Sequence, residues 1–274
     1  MDKDNPFCAK EIRFWSIRTI PKFLLRGIPR LILILIAYII FFTIIFFNHR
    51  NQNFVNNSIK LLARIKLYFF GYNYIDISSS DLELIKKSES QIIFVKHSSY
   101  LDCVLMPYLC PDAKIIASEY ISRIPVIRTL GKSKCIYLKN EFGGNLTDEI
   151  QAELDKGTKI IFFGEGVCSN PNFLLKLRNG AFVPKKNILP IHIDYDDNYW
   201  VMGEQDMVFH AFTQMSNSKN KVKVRVLKDY QVTEEDKKDI EVFKNNFRKY
   251  YADGFGISLS EKSYKEHPYF KLKI

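Results

Sequence analysis

The pattern of apolar and polar positions divides the chain into two regions. The N-terminal region has the spacing of helices, and in the longer region that follows, short apolar runs alternate with helical stretches. Residues 31–47 form a run of 17 residues without a charge, which as a helix would extend about 25 Å at about 1.5 Å per residue. Residues 54–70 mix Lys60, Arg64 and Lys66 with regularly spaced apolar residues, a pattern typical of a basic amphipathic helix. The N-terminal region is therefore predicted to hold a hydrophobic helix followed by an amphipathic one.

The hydrophobic run is interpreted as a retained membrane anchor. A cleaved signal peptide is the alternative, but no small-residue cleavage site follows the run in residues 48–51. The length is marginal for a hydrocarbon core of about 30 Å, so both a spanning helix and one that dips in and returns are open. Seven basic residues precede the run and four follow it within 20 residues, which favours a cytoplasmic N-terminus. The amphipathic segment would lie on lipid headgroups or pack on the adjoining domain.

From Gly71 onward, short runs rich in β-branched residues alternate with helical stretches. This alternation predicts an α/β domain. A helix expected over residues 145–156 has acidic residues in its first turn and Gly157 after its end. Residues 233–236 resemble a capping box that opens a final helix reaching to about Tyr251. The expected strands are residues 91–95, 114–117, 135–138, 159–163, 188–193 and 222–227.

Composition and charge narrow the classes of function. With 47% hydrophobic residues among 274, the chain can bury a core and is not of the disordered class. The five cysteines include no C-x-x-C pair, so reduced thiols are expected rather than a disulfide framework or a zinc ribbon. Of the net charge of +10, residues 1–70 carry +8, because they hold 11 Lys and Arg against 3 Asp and Glu. Positive charge around an apolar run favours an anionic membrane surface over nucleic acid as the partner.

Several common catalytic motifs are absent from the sequence. No G-x-S-x-G occurs, which disfavours a hydrolase nucleophile elbow. Residues 131–133 are similar to the end of a phosphate loop, but the position of its first glycine is Val126. The five histidines show neither H-E-x-x-H nor a short metal-ligand spacing, so no metal site is expected.

The segment KHSSYLD at residues 96–102 follows a predicted buried strand and carries a candidate acid-base pair. Residues five apart on a helix point about 140° away from each other, so His97 is placed in the loop and Asp102 in the first helical turn. Ser98 or Ser99 would cap that helix. The aspartate can then accept a hydrogen bond from one ring nitrogen and leave the other as a general base. A surface histidine beside a capping acid is the alternative.

A second candidate segment is IIFFGEGVCSN at residues 160–170, where a hydrophobic strand runs into glycines around a carboxylate. Gly164 and Gly166 permit positive φ and let a substrate approach the backbone. Glu165 supplies an acceptor for hydroxyl or ammonium groups. A tight turn that ends the strand is the alternative interpretation.

Together these segments resemble the glycerolipid acyltransferase family, whose first block is H-x-x-x-x-D and whose third block is close to F-P-E-G-T followed by a serine. Two further blocks match in order, and the resemblance covers about residues 90–195. The second block is matched by residues 118–120, 124–125, 130–131 and 135–138, and the fourth by residues 181–184 and 188–191. The C-S-N ending of the third block, residues 168–170, is most similar to the lysophosphatidylcholine acyltransferase branch.

The resemblance implies a fold and a reaction. The implied fold is α/β, a mixed sheet flanked by helices, with an acyltransferase domain at residues 71–274 and the membrane anchor and amphipathic helix within residues 1–70. His97, oriented by Asp102, would deprotonate a free hydroxyl of a lysophospholipid as it attacks the thioester of acyl-CoA, in phospholipid biosynthesis or remodelling. No cofactor is implied, because acyl-CoA is a co-substrate. The expected location is a membrane, the endoplasmic reticulum in a eukaryote or the inner membrane in a bacterium.

Binding residues are implied by their positions in the same blocks. Glu165, Gly166 and Ser169 would hold the acceptor near its glycerol hydroxyl. Lys139 would supply positive charge for the phosphate where the family commonly has arginine, although as a point charge without a bidentate fork.

Departures from the family pattern keep alternatives open. Gly164 replaces the family's proline and Val167 its threonine, and the resemblance implies that the backbone at position 164 accepts proline. Glycerol 3-phosphate is the alternative acceptor. A catalytically weak membrane-binding scaffold that retains the fold is the alternative from another class. A cysteine nucleophile is disfavoured, because His97 already has an orienting partner.

Overall fold

A computed structural model describes residues 5–8, 19–48, 50–118, 134–138, 146–196, 199–201 and 206–267. Helix α1, Thr19–Asn48, contains a π-helical turn at Phe23–Gly27. Helix α2, Gln52–Phe69, comes directly after it and is capped by Asn51, whose side chain accepts a hydrogen bond from the Phe54 N–H. Within the described ranges, α1 is the one helix that is long and apolar enough to cross a membrane.

The remaining described chain alternates strands with helices. The strands are β1 Asp76–Ile77, β2 Ile92–Val95, β3 Lys114–Ser118, β4 Cys135–Leu138, β5 Ile160–Phe163, β6 Phe173–Leu174, β7 Ile188–Asp194, β8 Lys223–Val226 and β9 Ser258–Leu259. The helices are α3 Ser79–Lys87, α4 Asp102–Leu109, α5 Leu146–Asp155, α6 Met207–Ser216, α7 Glu234–Lys238 and α8 Ile240–Phe255, with 3-10 turns at Asn179–Ala181 and Tyr264–Glu266.

Seven of these strands form one sheet in the order β1-β8-β7-β2-β5-β3-β4. Neighbouring strands are parallel except for β7 and β8, which are antiparallel. Strands inside a parallel sheet are covered on both faces, which explains why β2 reads IIFV and is buried along its whole length. The fold class is α/β with a mixed sheet, as the sequence predicts.

The sheet has a hydrophobic core on each face, because alternate residues of a strand point to opposite sides. Ile93 and Val95 of β2 belong to the core covered by α1, α2, α4 and α6. Ile92 and Phe94 belong to the core covered by α5 and α8, which is rich in aromatic rings. Both faces of the central strand are therefore sealed, and polar groups are left for the ends of the strands.

The two N-terminal helices pack on the domain. The Phe23 ring packs on Phe212 of α6 with ring centroids 4.5 Å apart, and Arg30 Nη1 donates a hydrogen bond to the Met215 carbonyl at 2.7 Å. Ala63 and Leu67 of α2 are buried in the same core as Leu105 of α4, so the amphipathic helix packs on the domain, which is one of the two alternatives predicted. The exposed apolar side chains of α1 are Leu24, Leu25, Ile28, Ile32, Leu33, Leu35, Ile36, Ile39, Ile40, Ile44, Phe46 and Phe47.

The predicted strands agree with the observed ones to within one residue at each end. The single final helix was a wrong prediction. Asp239 adopts an extended conformation, φ −136° and ψ 120°, and its side chain accepts a hydrogen bond from the Glu241 N–H, so α7 ends and α8 begins there. Helix α8 then continues to Phe255, beyond the expected end, and stops at Gly256 with φ 68°.

Candidate active site

The first and third sequence blocks meet because their strands are neighbours in the sheet. Strands β2 and β5 pair in parallel with Val95 opposite Phe163, so the loops after them leave the same edge. A hydrogen bond of 2.9 Å from the Ser169 N–H to the His97 carbonyl ties the two loops together. The carboxyl edge of parallel strands is where open α/β sheets place their ligand sites.

His97 and Asp102 are directly hydrogen-bonded at this edge. His97 lies in the loop after β2, and Asp102 is the first residue of α4. The distance between His97 Nδ1 and Asp102 Oδ2 is 2.8 Å. This is the placement that the spacing of the two residues predicts, and their catalytic role stays a prediction.

The Asp102 carboxylate is fully buried and accepts hydrogen bonds on both oxygens. Besides His97, Oδ2 accepts from the backbone N–H groups of Ser98 at 2.8 Å and Ser99 at 3.0 Å. Oδ1 accepts from the Tyr195 hydroxyl at 2.7 Å. A carboxylate held in this way has one orientation, and the neutral ring that donates Nδ1–H to it keeps an acceptor lone pair on Nε2.

Tyr195 is a residue of this site that the sequence analysis missed. It comes directly after β7, which neighbours β2 in the sheet, so it emerges at the same edge as His97. Burial, and then the charge of Asp102, raises the pKa of the Tyr195 hydroxyl well above its ordinary value, which keeps it a hydrogen-bond donor. Its place immediately after a predicted strand is the signal that points to it.

The two serines differ from their predicted role. The N-cap position of α4 is Leu101, with no side-chain cap, and Ser99 Oγ accepts a hydrogen bond from the Leu101 N–H at 3.3 Å. The prediction of a serine cap was wrong because the loop turns its backbone N–H groups toward Asp102 instead.

The His97 ring is held in one orientation by a stacking contact. Its centroid lies 4.3 Å from that of Phe163, with an angle of 23° between the planes. The side chain is 15% exposed, and Nε2 makes no hydrogen bond to any of the described residues. The ring therefore combines a fixed Nδ1 with an Nε2 atom that is available to a ligand.

Glu165 lies beneath the third-block loop in an ion pair with Lys96, with 3.2 Å between Lys96 Nζ and Glu165 Oε2 and both side chains fully buried. Ser169 Oγ accepts from Lys96 Nζ at 2.8 Å and donates to Glu165 Oε2 at 3.1 Å. Glu165 Oε1 accepts from the Leu175 N–H at 2.7 Å. In this arrangement Glu165 neutralises a buried lysine, Ser169 hydrogen-bonds to both charged groups, and neither Glu165 nor Ser169 faces solvent. Their predicted contact with an acceptor, like that of the partly exposed Gly166, stays a prediction.

The glycines of the third block are constrained by their neighbours. Gly166 adopts φ +79°, and a Cβ atom there would lie 2.7 Å from Arg178 Cδ. A Cβ atom on Gly164 would lie 1.9 Å from Cε2 of Phe94, whose ring is fully buried. The expectation that position 164 accepts proline is therefore wrong, because any side chain there displaces a packed ring.

The predicted phosphate-binding residue Lys139 lies outside the described residues, as do residues 119–133 of the second block. The described parts of that block are β4 and the end of β3, which pair in parallel with Ser118 opposite Leu138.

The cysteines near the site are thiols rather than thiolates. Burial raises the pKa of Cys110 to about 12, and burial together with the Asp102 charge raises that of Cys168 well above its ordinary value. Because the thiolate is the nucleophilic form, these two thiols are poor nucleophiles. In the part of the chain that the structure describes, no group of three His, Cys, Asp or Glu residues could hold a metal ion.

The chain is similar to several known proteins. Residues 76–194 match the family model described as Acyltransferase. The chain is 23% identical over 212 residues to lysophosphatidylcholine acyltransferase of Drosophila melanogaster, covering 73% of this chain and 39% of that protein. It is 26% identical over 170 residues to the lysophospholipid acyltransferase LPEAT2 of Arabidopsis thaliana, covering 58% and 31% respectively.

A solved structure has the same fold. The 1-acyl-sn-glycerophosphate acyltransferase PlsC from Thermotoga maritima superposes with a TM-score of 0.57 at 16% sequence identity, covering 85% of this chain and 100% of that chain. Residues 76–194 thus match an acyltransferase domain, and the resemblance noted from the sequence blocks is confirmed. It spans about two fifths or less of the length of these two curated relatives.

Proposed function

We propose that this chain is a membrane-bound acyltransferase that transfers an acyl chain from acyl-CoA to a free hydroxyl of a lysophospholipid. The observation that carries the proposal is the hydrogen bond between His97 and Asp102, which holds a base at the carboxyl edge of the sheet. The relatives from Drosophila melanogaster and Arabidopsis thaliana, whose names include lysophosphatidylcholine and lysophospholipid acyltransferase, support the acceptor class.

The proposed reaction needs one base and no covalent enzyme intermediate. His97 Nε2 takes the proton of the acceptor hydroxyl while the hydroxyl oxygen bonds to the thioester carbon of acyl-CoA. The tetrahedral intermediate then collapses, the carbon–sulfur bond breaks, and the CoA thiolate takes the proton from the imidazolium. Asp102 stabilises that imidazolium and holds the ring, as the carboxylate does in a catalytic triad. Acyl-CoA serves as co-substrate, and no cofactor is proposed.

Both the chemistry of the proposed substrates and the exposed apolar surface of helix α1 support a membrane location. Both proposed substrates partition into lipid, and α1 exposes leucine, isoleucine and phenylalanine side chains along most of its length. Phe23 and Arg30 near its start contact α6, and α2 directly after its end packs on α4. A helix that spans a bilayer places the chain before it and the chain after it on opposite sides. Contacts of both ends with one domain support the alternative in which α1 is embedded in the membrane without spanning it.

Turnover by the purified full chain is the test. Acyl-CoA is offered with lysophosphatidylcholine, lysophosphatidylethanolamine, 1-acylglycerol phosphate and glycerol 3-phosphate, while released thiol and acylated products are measured by absorbance and mass spectrometry. Acylation of a lysophospholipid with matching thiol release is the expected result. Acylation of glycerol 3-phosphate alone would assign the alternative acceptor. Absence of thiol release with every acceptor would contradict the proposal and favour a scaffold.

A further inference from the structure

Residues 5–8, the N-terminal turn, are bound to the acyltransferase domain although α1 and α2 lie between them in sequence. The Phe7 N–H donates to Asn5 Oδ1 at 3.1 Å and the Cys8 N–H to the Asn5 carbonyl at 3.0 Å, so the four residues form a compact turn. Phe7 is only 3% exposed. A ring this buried must be covered by residues from other parts of the fold.

The Phe7 ring fills an apolar pocket beside the third block. It meets the His267 ring edge-on, with centroids 4.7 Å apart, and Lys262 Nζ lies 5.8 Å from the ring centroid. The apolar residues that share this cluster with Phe7 are Val167, Leu175, Val201, Tyr199 and Tyr264. Val167 belongs to the third block, so the Phe7 ring packs against that block.

Polar contacts fix the N-terminal turn in the pocket. The Asn170 N–H donates to the Pro6 carbonyl at 2.9 Å, and the Tyr199 hydroxyl donates to the Cys8 carbonyl at 3.1 Å. Lys262 Nζ donates to Asn5 Oδ1 at 3.3 Å. The bond to Asn170 joins two backbone groups, so the turn constrains the path of the third-block backbone.

The third block is in turn attached to the candidate base. The Ser169 N–H, next to that of Asn170, donates to the His97 carbonyl at 2.9 Å. Two successive backbone N–H groups are therefore held, one by His97 and the next by Pro6. A displacement of the N-terminal turn would therefore be transmitted to the His97 backbone through one residue, Ser169.

We propose that the N-terminal turn is a positioning element of the active site and that Phe7 is the residue that seats it. The expected change in kcat rests on the proposed acyltransferase function. The contacts between the N-terminal turn and the third block do not depend on that function. Misplacement of a reacting group by about 1 Å can cost on the order of 100-fold in rate. Phe7 touches neither His97 nor Asp102, so the loss of its ring should lower kcat by a smaller factor and leave KM nearly unchanged.

The experiment compares Phe7→Ala, Phe7→Leu and Tyr74→Ala in the full chain, where Tyr74 is an exposed aromatic residue that serves as control. In Phe7→Ala, amide hydrogen exchange at Ser169 and Asn170 should speed up about tenfold, while exchange in α8 stays the same. In the same preparation, kcat should fall about tenfold with KM within about twofold. Phe7→Leu should restore both exchange and kcat to near the wild-type values, and Tyr74→Ala should change neither.

Unchanged exchange at Ser169 and Asn170 in Phe7→Ala would overturn the inference, because the turn would then not hold the third block. Faster exchange with a wild-type kcat would overturn it too, since the turn would be structural only. A raised kcat would show that the turn obstructs the active site instead of positioning it, and would equally contradict the inference. If the wild-type protein itself shows no turnover, the proposed function fails, and the exchange comparison still decides whether Phe7 holds the third block.

Discussion

The Tyr195 hydroxyl donates a hydrogen bond of 2.7 Å to Oδ1 of Asp102, while His97 Nδ1 is bonded to the other oxygen of the same carboxylate. Tyr195 and Asp102 are both fully buried, so water does not compete for either group. A tyrosine 93 positions further along the chain thus fixes the acid that orients the candidate base.

Tyr195→Phe removes that donor and keeps the ring. Hydrogen bonds to charged groups contribute about 1.5–3 kcal/mol, so we expect the free energy of unfolding to fall by about that amount. The acyl-transfer rate should fall on the order of tenfold, because Asp102 is less firmly oriented and His97 with it. Urea unfolding and the rate of thiol release from acyl-CoA measure the two effects on one preparation.

Tyr230→Phe is the matched control for this variant. Tyr230 donates to the Asp236 carboxylate at 2.9 Å and pairs with Ile188, at the opposite end of β7 from Tyr195. It should lose stability and keep the wild-type rate. Equal rates for the two tyrosine variants would show that Tyr195 stabilises the fold without positioning the acid.

The ion pair between Lys96 and Glu165 should show the strong energetic coupling of a buried ion pair. Removal of one partner leaves an uncompensated buried charge, so Lys96→Met should lower the free energy of unfolding by about 3–5 kcal/mol. The double variant Lys96→Met with Glu165→Gln should lose clearly less than the sum of the single variants. A double-mutant cycle by urea unfolding gives the coupling energy.

The exposed pair of Lys87 and Glu83, 2.6 Å apart, is the comparison for that cycle. Its side chains are 78% and 53% exposed, and its coupling should be close to zero. A coupling between Lys96 and Glu165 as small as that of the exposed pair would contradict the described site and would leave Glu165 free to bind an acceptor.

Gly164 should tolerate no side chain. A Cβ atom there meets the buried Phe94 ring at 1.9 Å, and overpacking of a core costs about 1–3 kcal/mol. Gly164→Ala should therefore lower the melting temperature by several degrees, at about 2–4 °C per kcal/mol for a chain of this size, and Gly164→Pro by more. Gly180→Ala is the control, because the nearest atom to its Cβ would be Phe162 Cε1 at an ordinary 3.6 Å. A melting temperature unchanged or raised in Gly164→Pro would restore the family-based expectation.

Local features of this protein can be predicted from local sequence. The strands are recognisable because β-branched runs such as those of β2 and β5 are bounded by polar residues and glycine. The pairing of His97 with Asp102 can be predicted from their spacing once the start of the helix is known, because they are only five positions apart. The orientation of the carboxylate cannot be predicted in this way, since it depends on Tyr195 from a different strand.

The remaining features depend on contacts between distant residues. Lys96 and Glu165 are 69 positions apart, and no property of either segment alone shows that the sheet places both beneath one loop. The steric limit at Gly164 comes from Phe94 on the neighbouring strand, and the seat of Phe7 comes from residues beyond position 166. The break between α7 and α8 has a local cause, which is the cap that the Asp239 side chain forms. The sequence alone does not reveal it, because an aspartate inside a helical pattern is identified as a cap only when its backbone is seen to be extended.

The arrangement of α1 predicts that the N-terminus and the α/β domain lie on one side of the bilayer. Phe7 precedes α1 and is buried against Val201, while Phe23 packs on Phe212, so both parts of the chain before the exposed apolar stretch contact the domain after it. In sealed vesicles, an epitope before Met1 and one after Ile274 should be accessible to protease or antibody from the same face. Protection of one epitope and exposure of the other would show a spanning helix.

The acyl-transfer rate of His97→Ala, measured with acyl-CoA and a lysophospholipid against the wild-type protein, tests the central claim most directly. Loss of a general base typically costs about 10²–10⁴-fold in rate, and we expect a fall within that range. Membrane association should be unchanged and the melting temperature should stay within a few degrees, because the ring lies at the edge of the fold and is partly exposed. Turnover near the wild-type rate in His97→Ala would contradict the account.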